Sequence, residues 1–161
     1  MESWAEKYRP ESLSDIIGNT KVINDLKTWA KSWGDKMVKK GVILSGPPGC
    51  GKTSAAIALA NDMEWEVIEL NASDARSGAV IEGTALRAGL FQTFGSKGIA
   101  DRNLILLDEA DNLYERAKQS KNKTKNYSDR GGKRAITKTL EQTRQPVVIT
   151  VNDLYNLTKG T

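Results

Sequence analysis

One glycine-rich segment narrows the folds open to this chain: Gly46-Pro47-Pro48-Gly49-Cys50-Gly51-Lys52-Thr53. It fits the pattern G-x-x-x-x-G-K-[ST], in which glycines let backbone N–H groups turn inward around a phosphate. A short apolar run, Val42-Ile43-Leu44, leads into the segment, and an alanine-rich stretch at residues 53–61 follows it. These flanks predict a buried strand before the turn and a helix after it. A strand, a glycine-rich turn and a helix in this order indicate a phosphate-binding loop in an α/β domain.

The residues of this loop have separate expected roles. Lys52 is predicted to reach the β- and γ-phosphates of a nucleotide, and the Thr53 hydroxyl is predicted to ligate Mg²⁺. Cys50 fills an unconstrained position, where a small residue that simply fits is favoured over a redox switch. The expected nucleotide-binding residues of the loop are Gly46, Pro47, Pro48, Gly49, Cys50, Gly51, Lys52, Thr53 and Ser54.

Two carboxylates, Asp108 and Glu109, follow a second apolar run at residues 104–107. In P-loop ATPases an aspartate at this place holds Mg²⁺ directly or through water, and the adjacent glutamate can act as a general base on the attacking water. Asn152 follows the apolar residues 147–151 and is predicted to sense the γ-phosphate, although asparagine is also a common turn former at strand ends. The predicted catalytic residues are Lys52, Glu109 and Asn152, and the predicted metal ligands are Thr53 and Asp108.

Strands and helices are expected to alternate along the rest of the chain. Further strands are predicted at residues 66–70, 104–107 and 147–151. Helices are predicted at residues 20–33 with Asn19 or Thr20 as the cap, from residues 71–74 to about residue 90, and at residues 133–143. Residues 1–18 are expected to form an irregular lead-in and residues 116–131 a mobile basic loop. This pattern predicts one three-layer α/β/α domain with a mainly parallel sheet over residues 1–161.

Composition excludes several other classes of protein. Hydrophobic residues at 39% and charged residues at 27% are ordinary for a soluble globular domain. No apolar run approaches the roughly 18–20 residues that a membrane span needs, and the N-terminus lacks a basic-then-apolar leader. The single cysteine, Cys50, cannot form an internal disulfide, which fits a reducing compartment. We therefore expect a cytoplasmic protein without a membrane partner.

Positive charge is concentrated in one segment. The chain has a net charge of +4, yet residues 115–134 hold eight basic and two acidic residues, a net charge of +6. The remainder of the chain is slightly acidic. A solvated loop without a partner fits this pattern, and so does a surface that contacts the phosphate backbone of DNA. On the second interpretation Lys121, Lys123 and Lys125 contact DNA.

Several other segments carry a recognisable signature. The chain opens with Trp4-Ala5-Glu6-Lys7-Tyr8-Arg9-Pro10, followed by Leu13 and Asp15-Ile16-Ile17-Gly18-Asn19. Later segments read Leu70-Asn71-Ala72-Ser73-Asp74-Ala75-Arg76-Ser77, Asp129-Arg130-Gly131-Gly132-Lys133-Arg134-Ala135-Ile136 and Asn152-Asp153-Leu154-Tyr155. Together they resemble the replication factor C subunits of clamp loaders, and the last two are similar to the large subunit in particular. In this family the large subunit of eukaryotes normally carries a long N-terminal extension, whereas the first signature here starts at residue 4, so we expect the archaeal type.

The resemblance implies an AAA+ P-loop NTPase fold and a pentameric ATPase of one large and four small subunits. Such an ATPase uses ATP and Mg²⁺ to open a sliding-clamp ring and place it on primer–template DNA. The resemblance also implies that an adenine pocket is formed partly by Tyr8, Arg9, Pro10, Ile16 and Ile17, a stretch that can also pack on the core as a hydrophobic lead-in. It places Arg76 near DNA, although a solvated helix residue is the alternative.

The family continues with a fifth strand, a helical lid bearing a sensor arginine, and a collar. The 161-residue chain is therefore expected to be truncated before these parts and to be a weak or inactive ATPase alone, since a neighbouring subunit supplies the arginine finger. Two other functions stay open. One is another AAA+ DNA motor, such as a branch-migration helicase, and the other is an interaction module that binds ATP without hydrolysing it.

Overall fold

The computed structural model describes residues 4–33, 39–71, 102–111 and 131–154. The helices in these ranges are α1 (Trp4–Lys7), α2 (Thr20–Lys31), α3 (Lys52–Asp62) and α4 (Gly131–Gln142), with a 3₁₀ turn at Leu13–Asp15. The strands are β1 (Gly41–Ser45), β2 (Glu66–Asn71), β3 (Asn103–Asp108) and β4 (Val147–Val151). Of the helices in the described ranges, none has the length and apolar character needed to cross a membrane.

The strands form one sheet in the order β1-β4-β3-β2, and all three neighbouring pairs are parallel. The last of these four strands in the sequence, β4, lies between β1 and β3. Parallel strands place their carboxyl ends at the same edge of the sheet, which is where α/β proteins bind ligands. The segments that follow β1, β3 and β4 therefore meet at one edge.

Alternating side chains of the sheet contribute to two hydrophobic cores. One core lies between the sheet and helices α2 and α3, and includes Leu104, Leu106 and Val148. The other includes Ile105 of β3 and Ile136 of α4. Strands buried on both faces are expected to be apolar throughout, and every residue of β4 is buried. The predicted three-layer α/β/α architecture with a parallel sheet is confirmed.

Most predicted elements are present, with small differences at their ends. The helix predicted at residues 53–61 spans Lys52–Asp62, and the strand predicted at residues 66–70 extends to Asn71. Gly131 begins helix α4, so the predicted loop ends before it. The remainder of that loop, and the helix predicted to run to about residue 90, lie outside the described residues apart from Asn71.

In the N-terminal region one prediction is wrong, and the predicted cap at Asn19 is confirmed in position but makes no side-chain hydrogen bond. Residues 1–18 are not irregular throughout, because they contain α1 and a 3₁₀ turn. A capping box stabilises that turn: Ser12 Oγ accepts the Ser14 N–H at 3.2 Å, and Asp15 Oδ2 accepts the Ser12 N–H at 2.9 Å. Asn19 occupies the N-cap position of α2, but its left-handed backbone, with φ of 46°, leaves no side-chain capping hydrogen bond. N-cap side chains that accept a hydrogen bond from a backbone N–H of the first turn usually belong to residues with an extended backbone.

Candidate functional site

The predicted phosphate loop connects β1 to α3. Gly49 and Gly51 have φ angles of 77° and 91°, which side chains with a Cβ rarely adopt. The Gly46 N–H donates to the Val151 carbonyl at 3.2 Å and so ties the start of the loop to the end of β4. Because α3 begins at Lys52, the N–H groups of its first turn have no partner within the helix. The loop therefore presents backbone donors and the positive end of a helix dipole to an anion.

Lys52 joins this loop to the end of β4. Its Nζ donates to the carbonyl oxygens of Gly46 at 2.8 Å and Pro47 at 2.9 Å, and to Asn152 Oδ1 at 3.0 Å. An ammonium group has three N–H donors, so these acceptors use all of them. A phosphate that binds Lys52 must therefore replace at least one of these acceptors.

The carboxylate of Asp108 accepts hydrogen bonds from two hydroxyl groups. Thr53 Oγ1 donates to Asp108 Oδ1 at 2.9 Å, and Thr150 Oγ1 donates to the same oxygen at 2.5 Å. The alternation of side chains along β3 and β4 explains why Asp108 and Thr150 are in contact. Asp108 lies on the same face of the sheet as Leu106, and Thr150 lies on the same face as Val148. Leu106 and Val148 are register partners and pack in the core beneath α3. The first turn of α3 contributes Thr53 to the same face.

Glu109 lies in a turn directly after β3. Its φ angle of 52° is in the left-handed region, which costs a residue with a side chain about 1 kcal/mol or more. Two hydrogen bonds to β4 hold the turn: the Glu109 N–H donates to Thr150 Oγ1 at 3.0 Å, and the Ala110 N–H donates to the Thr150 carbonyl at 3.0 Å. A strained backbone conformation of this kind is kept only where surrounding contacts hold the residue in it.

Asn152 is held by a buried carboxylate. The Asn152 N–H donates to Asp111 Oδ2 at 3.1 Å, and Asp111 is only 7% exposed. The other oxygen of Asp111 is buried and has no hydrogen-bond partner within the described part of the chain. The amide of Asn152 is therefore fixed from two sides, through its backbone by Asp111 and through its side chain by Lys52.

These groups line one cavity of about 250 Å³. Its lining residues are Pro48, Gly49, Gly51, Lys52, Thr53, Ser54, Asp108, Glu109, Thr150 and Asn152. A hydroxyl and a carboxylate 2.9 Å apart supply the oxygen ligands that Mg²⁺ prefers. The Lys52 ammonium and the N-terminus of α3 supply positive charge for phosphates. The residues present fit the phosphate end of a nucleotide together with Mg²⁺.

The structure brings together most of the predicted loop, metal and catalytic residues. Gly46, Pro47 and Cys50 belong to the loop but do not line the cavity, although Lys52 bonds the carbonyls of the first two. None of the five predicted adenine-pocket residues lines it either. Of those five, Tyr8 and Ile17 are 67% and 100% exposed, Arg9 is exposed, Pro10 is half-buried, and Ile16 packs against the core. Arg76, Lys121, Lys123 and Lys125 lie outside the described residues.

Thr150 and Asp111 were not predicted from the sequence to have a role. Thr150 is the one polar residue in the strand Val147-Val148-Ile149-Thr150-Val151, and a hydroxyl in a fully buried strand needs a hydrogen-bond partner. A polar residue in an otherwise apolar strand was therefore the sequence feature that could have indicated a role for Thr150. Asp111, three residues after Asp108, had no comparable signal, because its partner is the backbone N–H of Asn152, directly after β4.

Comparison with known proteins gives one family match and close relatives. A family model described as "ATPase family associated with various cellular activities (AAA)" matches residues 42–161. The chain is 50% identical over 156 residues to the replication factor C large subunit of Methanosarcina mazei, covering 96% of this chain and 23% of that protein. It is 49% identical over 157 residues to the same subunit of Methanosarcina acetivorans, with the same two coverages. The chain thus spans about a quarter of the length of these relatives.

The fold also resembles that of a solved protein. A chain from a solved structure of katanin self-assembly superimposes with a TM-score of 0.62 at 23% identity. The match covers 92% of this chain and 48% of the katanin chain. At this identity the likeness is one of fold.

Proposed function

The chain belongs to the ATPase family associated with various cellular activities (AAA), and on that basis we propose that it binds ATP with Mg²⁺ and that the nucleotide is hydrolysed at this site in the assembled protein. The observation that carries this proposal is the meeting of Lys52, Asp108, Glu109 and Asn152 in one cavity. They come from three segments that are far apart in sequence. A glycine-rich turn with a chance lysine would not place a carboxylate pair and an amide beside it.

Each side chain takes a role that its position supports. Lys52 neutralises the β- and γ-phosphates, and Thr53 and Asp108 hold Mg²⁺, which when bound neutralises charge on the phosphate oxygens. Glu109 accepts the proton of the attacking water. Asn152 orients that water against the γ-phosphate from the end of β4. The turn after β3 keeps Glu109 at the cavity, and the hydrogen bond that the Asn152 N–H donates to Asp111 keeps Asn152 there.

We further propose that the protein is the large subunit of a replication factor C type of clamp loader. Support comes from archaeal relatives of that name, which are 44–50% identical to the chain. In this proposal its partners are four small subunits, a sliding clamp and primer–template DNA, and it works in the cytoplasm at the nucleoid. A neighbouring subunit supplies the arginine that completes the catalytic site.

Two further contacts belong to this proposal. Tyr8, Arg9, Pro10, Ile16 and Ile17 contribute to the adenine pocket, and the exposed rings and chains among them offer apolar surface for a base. Arg76, Lys121, Lys123 and Lys125 contact the phosphate backbone of DNA. The excess positive charge of residues 115–134 supports the contact by the three lysines.

Clamp loading is the activity that separates this proposal from another DNA motor. The full-length protein, assembled with its small subunits, is expected to place a labelled clamp on a circular primed DNA only when ATP is present. Retention of the clamp on DNA after gel filtration measures the product. Migration of a four-way junction without clamp retention would identify a branch-migration motor and contradict the clamp-loader proposal.

A further inference from the structure

The buried hydroxyl of Thr150 connects both carboxylate residues of the site. Thr150 is 1% exposed, and its Oγ1 accepts the Glu109 N–H at 3.0 Å and donates to Asp108 Oδ1 at 2.5 Å. Its carbonyl oxygen accepts the Ala110 N–H at 3.0 Å. A single residue of β4 therefore bonds three consecutive residues at the end of β3.

We propose that Thr150 is a positioning residue that holds the Asp108 carboxylate in the orientation needed to bind Mg²⁺. A carboxylate at a strand end can rotate about its side-chain bonds, and each orientation presents different oxygens to a cation. Thr53 and Thr150 both donate to Asp108 Oδ1 and restrict that rotation. Thr53 is itself a Mg²⁺ ligand in the proposed function, on which this inference rests. Thr150 is the partner that holds Asp108 without touching the cation.

Thr150 suits this role because its own side chain is fixed. A β-branched side chain in a strand has few accessible χ1 rotamers, and the residue is packed within a fully buried strand. Its hydroxyl group donates one hydrogen bond, to Asp108 Oδ1, and accepts another, from the Glu109 N–H. Loss of the hydroxyl removes one of the two donors that orient the Asp108 carboxylate and takes this acceptor from the Glu109 N–H, while the shape of the strand is retained.

The test compares Thr150→Val with Thr150→Ser in the full-length protein. Valine keeps the shape of threonine without the hydroxyl, and serine keeps the hydroxyl. The affinity for a non-hydrolysable ATP analogue is measured with Mg²⁺ and with EDTA. We expect Thr150→Val to reduce the gain in affinity due to Mg²⁺ by about 10-fold, since a hydrogen bond to a charged group is lost. Affinity in EDTA is expected to stay near that of the wild type, and Thr150→Ser is expected to restore the Mg²⁺ effect.

Thr139→Val is the matched control. Thr139 is also fully buried, but it lies in α4 on the other side of the sheet, and its hydroxyl has no partner within the described residues. An unchanged Mg²⁺ effect in Thr150→Val, or a serine variant as impaired as the valine variant, would overturn the positioning role. If the wild type itself gains no affinity from Mg²⁺, the proposed function fails and the role of Thr150 fails with it.

Discussion

Replacing Glu109 with glutamine is expected to lower the rate of ATP hydrolysis by the assembled full-length protein about 10²–10⁴-fold, the usual contribution of a general base. The amide preserves the shape of the side chain and its capacity for hydrogen bonds, but it cannot accept a proton from water. The backbone of Glu109 is held by Thr150, so the substitution leaves the turn after β3 in place. ATP affinity is expected to remain near that of the wild type.

A single-turnover assay with prebound ATP separates this chemical step from binding. Glu64→Gln is the matched control, because Glu64 is an exposed glutamate with a similar left-handed φ of 58° in the turn after α3. It lies outside the cavity and its replacement is expected to leave the rate unchanged. Full hydrolysis in Glu109→Gln would remove Glu109 from the catalytic role. Absence of hydrolysis in the wild type would favour a module that binds ATP without cleaving it.

Replacing Lys52 with alanine is expected to weaken ATP binding about 10- to 100-fold, the range for losing hydrogen bonds from a charged group. The ammonium is the one cationic side chain that lines the described cavity. Its three present acceptors are two backbone carbonyls and the amide of Asn152, so its loss also releases the Asn152 side chain. Both effects oppose binding of the γ-phosphate.

Equilibrium titration of ATP into each variant measures this loss. Lys21→Ala is the matched control, because Lys21 is exposed in α2 and does not line the cavity. Thermal unfolding of both variants distinguishes a lost phosphate contact from a destabilised loop. Equal ATP affinity in Lys52→Ala and Lys21→Ala would exclude the phosphate role of Lys52.

The sequence allowed prediction of the features that are local. The phosphate loop, the acidic pair and Asn152 each follow an apolar strand within a few residues, and the motif fixes the residue types that the chemistry requires. The apolar runs also predicted a covered parallel sheet, which is confirmed by the two cores on its faces. The carboxyl ends of such strands meet at one edge, so the meeting of these residues followed from the fold class.

Contacts that depend on strand register could not be predicted from the sequence motifs. Thr150 meets Asp108 only because Leu106 pairs with Val148, and a shift of one residue would turn Thr150 to the opposite face. Asp111 bonds the backbone of Asn152, and a backbone acceptor or donor leaves no trace in residue identity. The backbone conformation of Asn19 was likewise not predictable from residue type. Its side chain is suited to capping a helix, but its left-handed backbone leaves no side-chain capping hydrogen bond.

The most direct test of an ATP site at this cavity is a structure of the protein with Mg²⁺ and a non-hydrolysable ATP analogue. We expect the β-phosphate inside the loop at residues 46–53, with Lys52 Nζ bonded to phosphate oxygens. We expect the cation about 2.1 Å from Thr53 Oγ1, with Asp108 bound to it directly or through one water. Nucleotide phosphates bound elsewhere on the protein, with the Lys52 and Thr53 hydrogen bonds to Asn152 and Asp108 intact, would contradict this assignment.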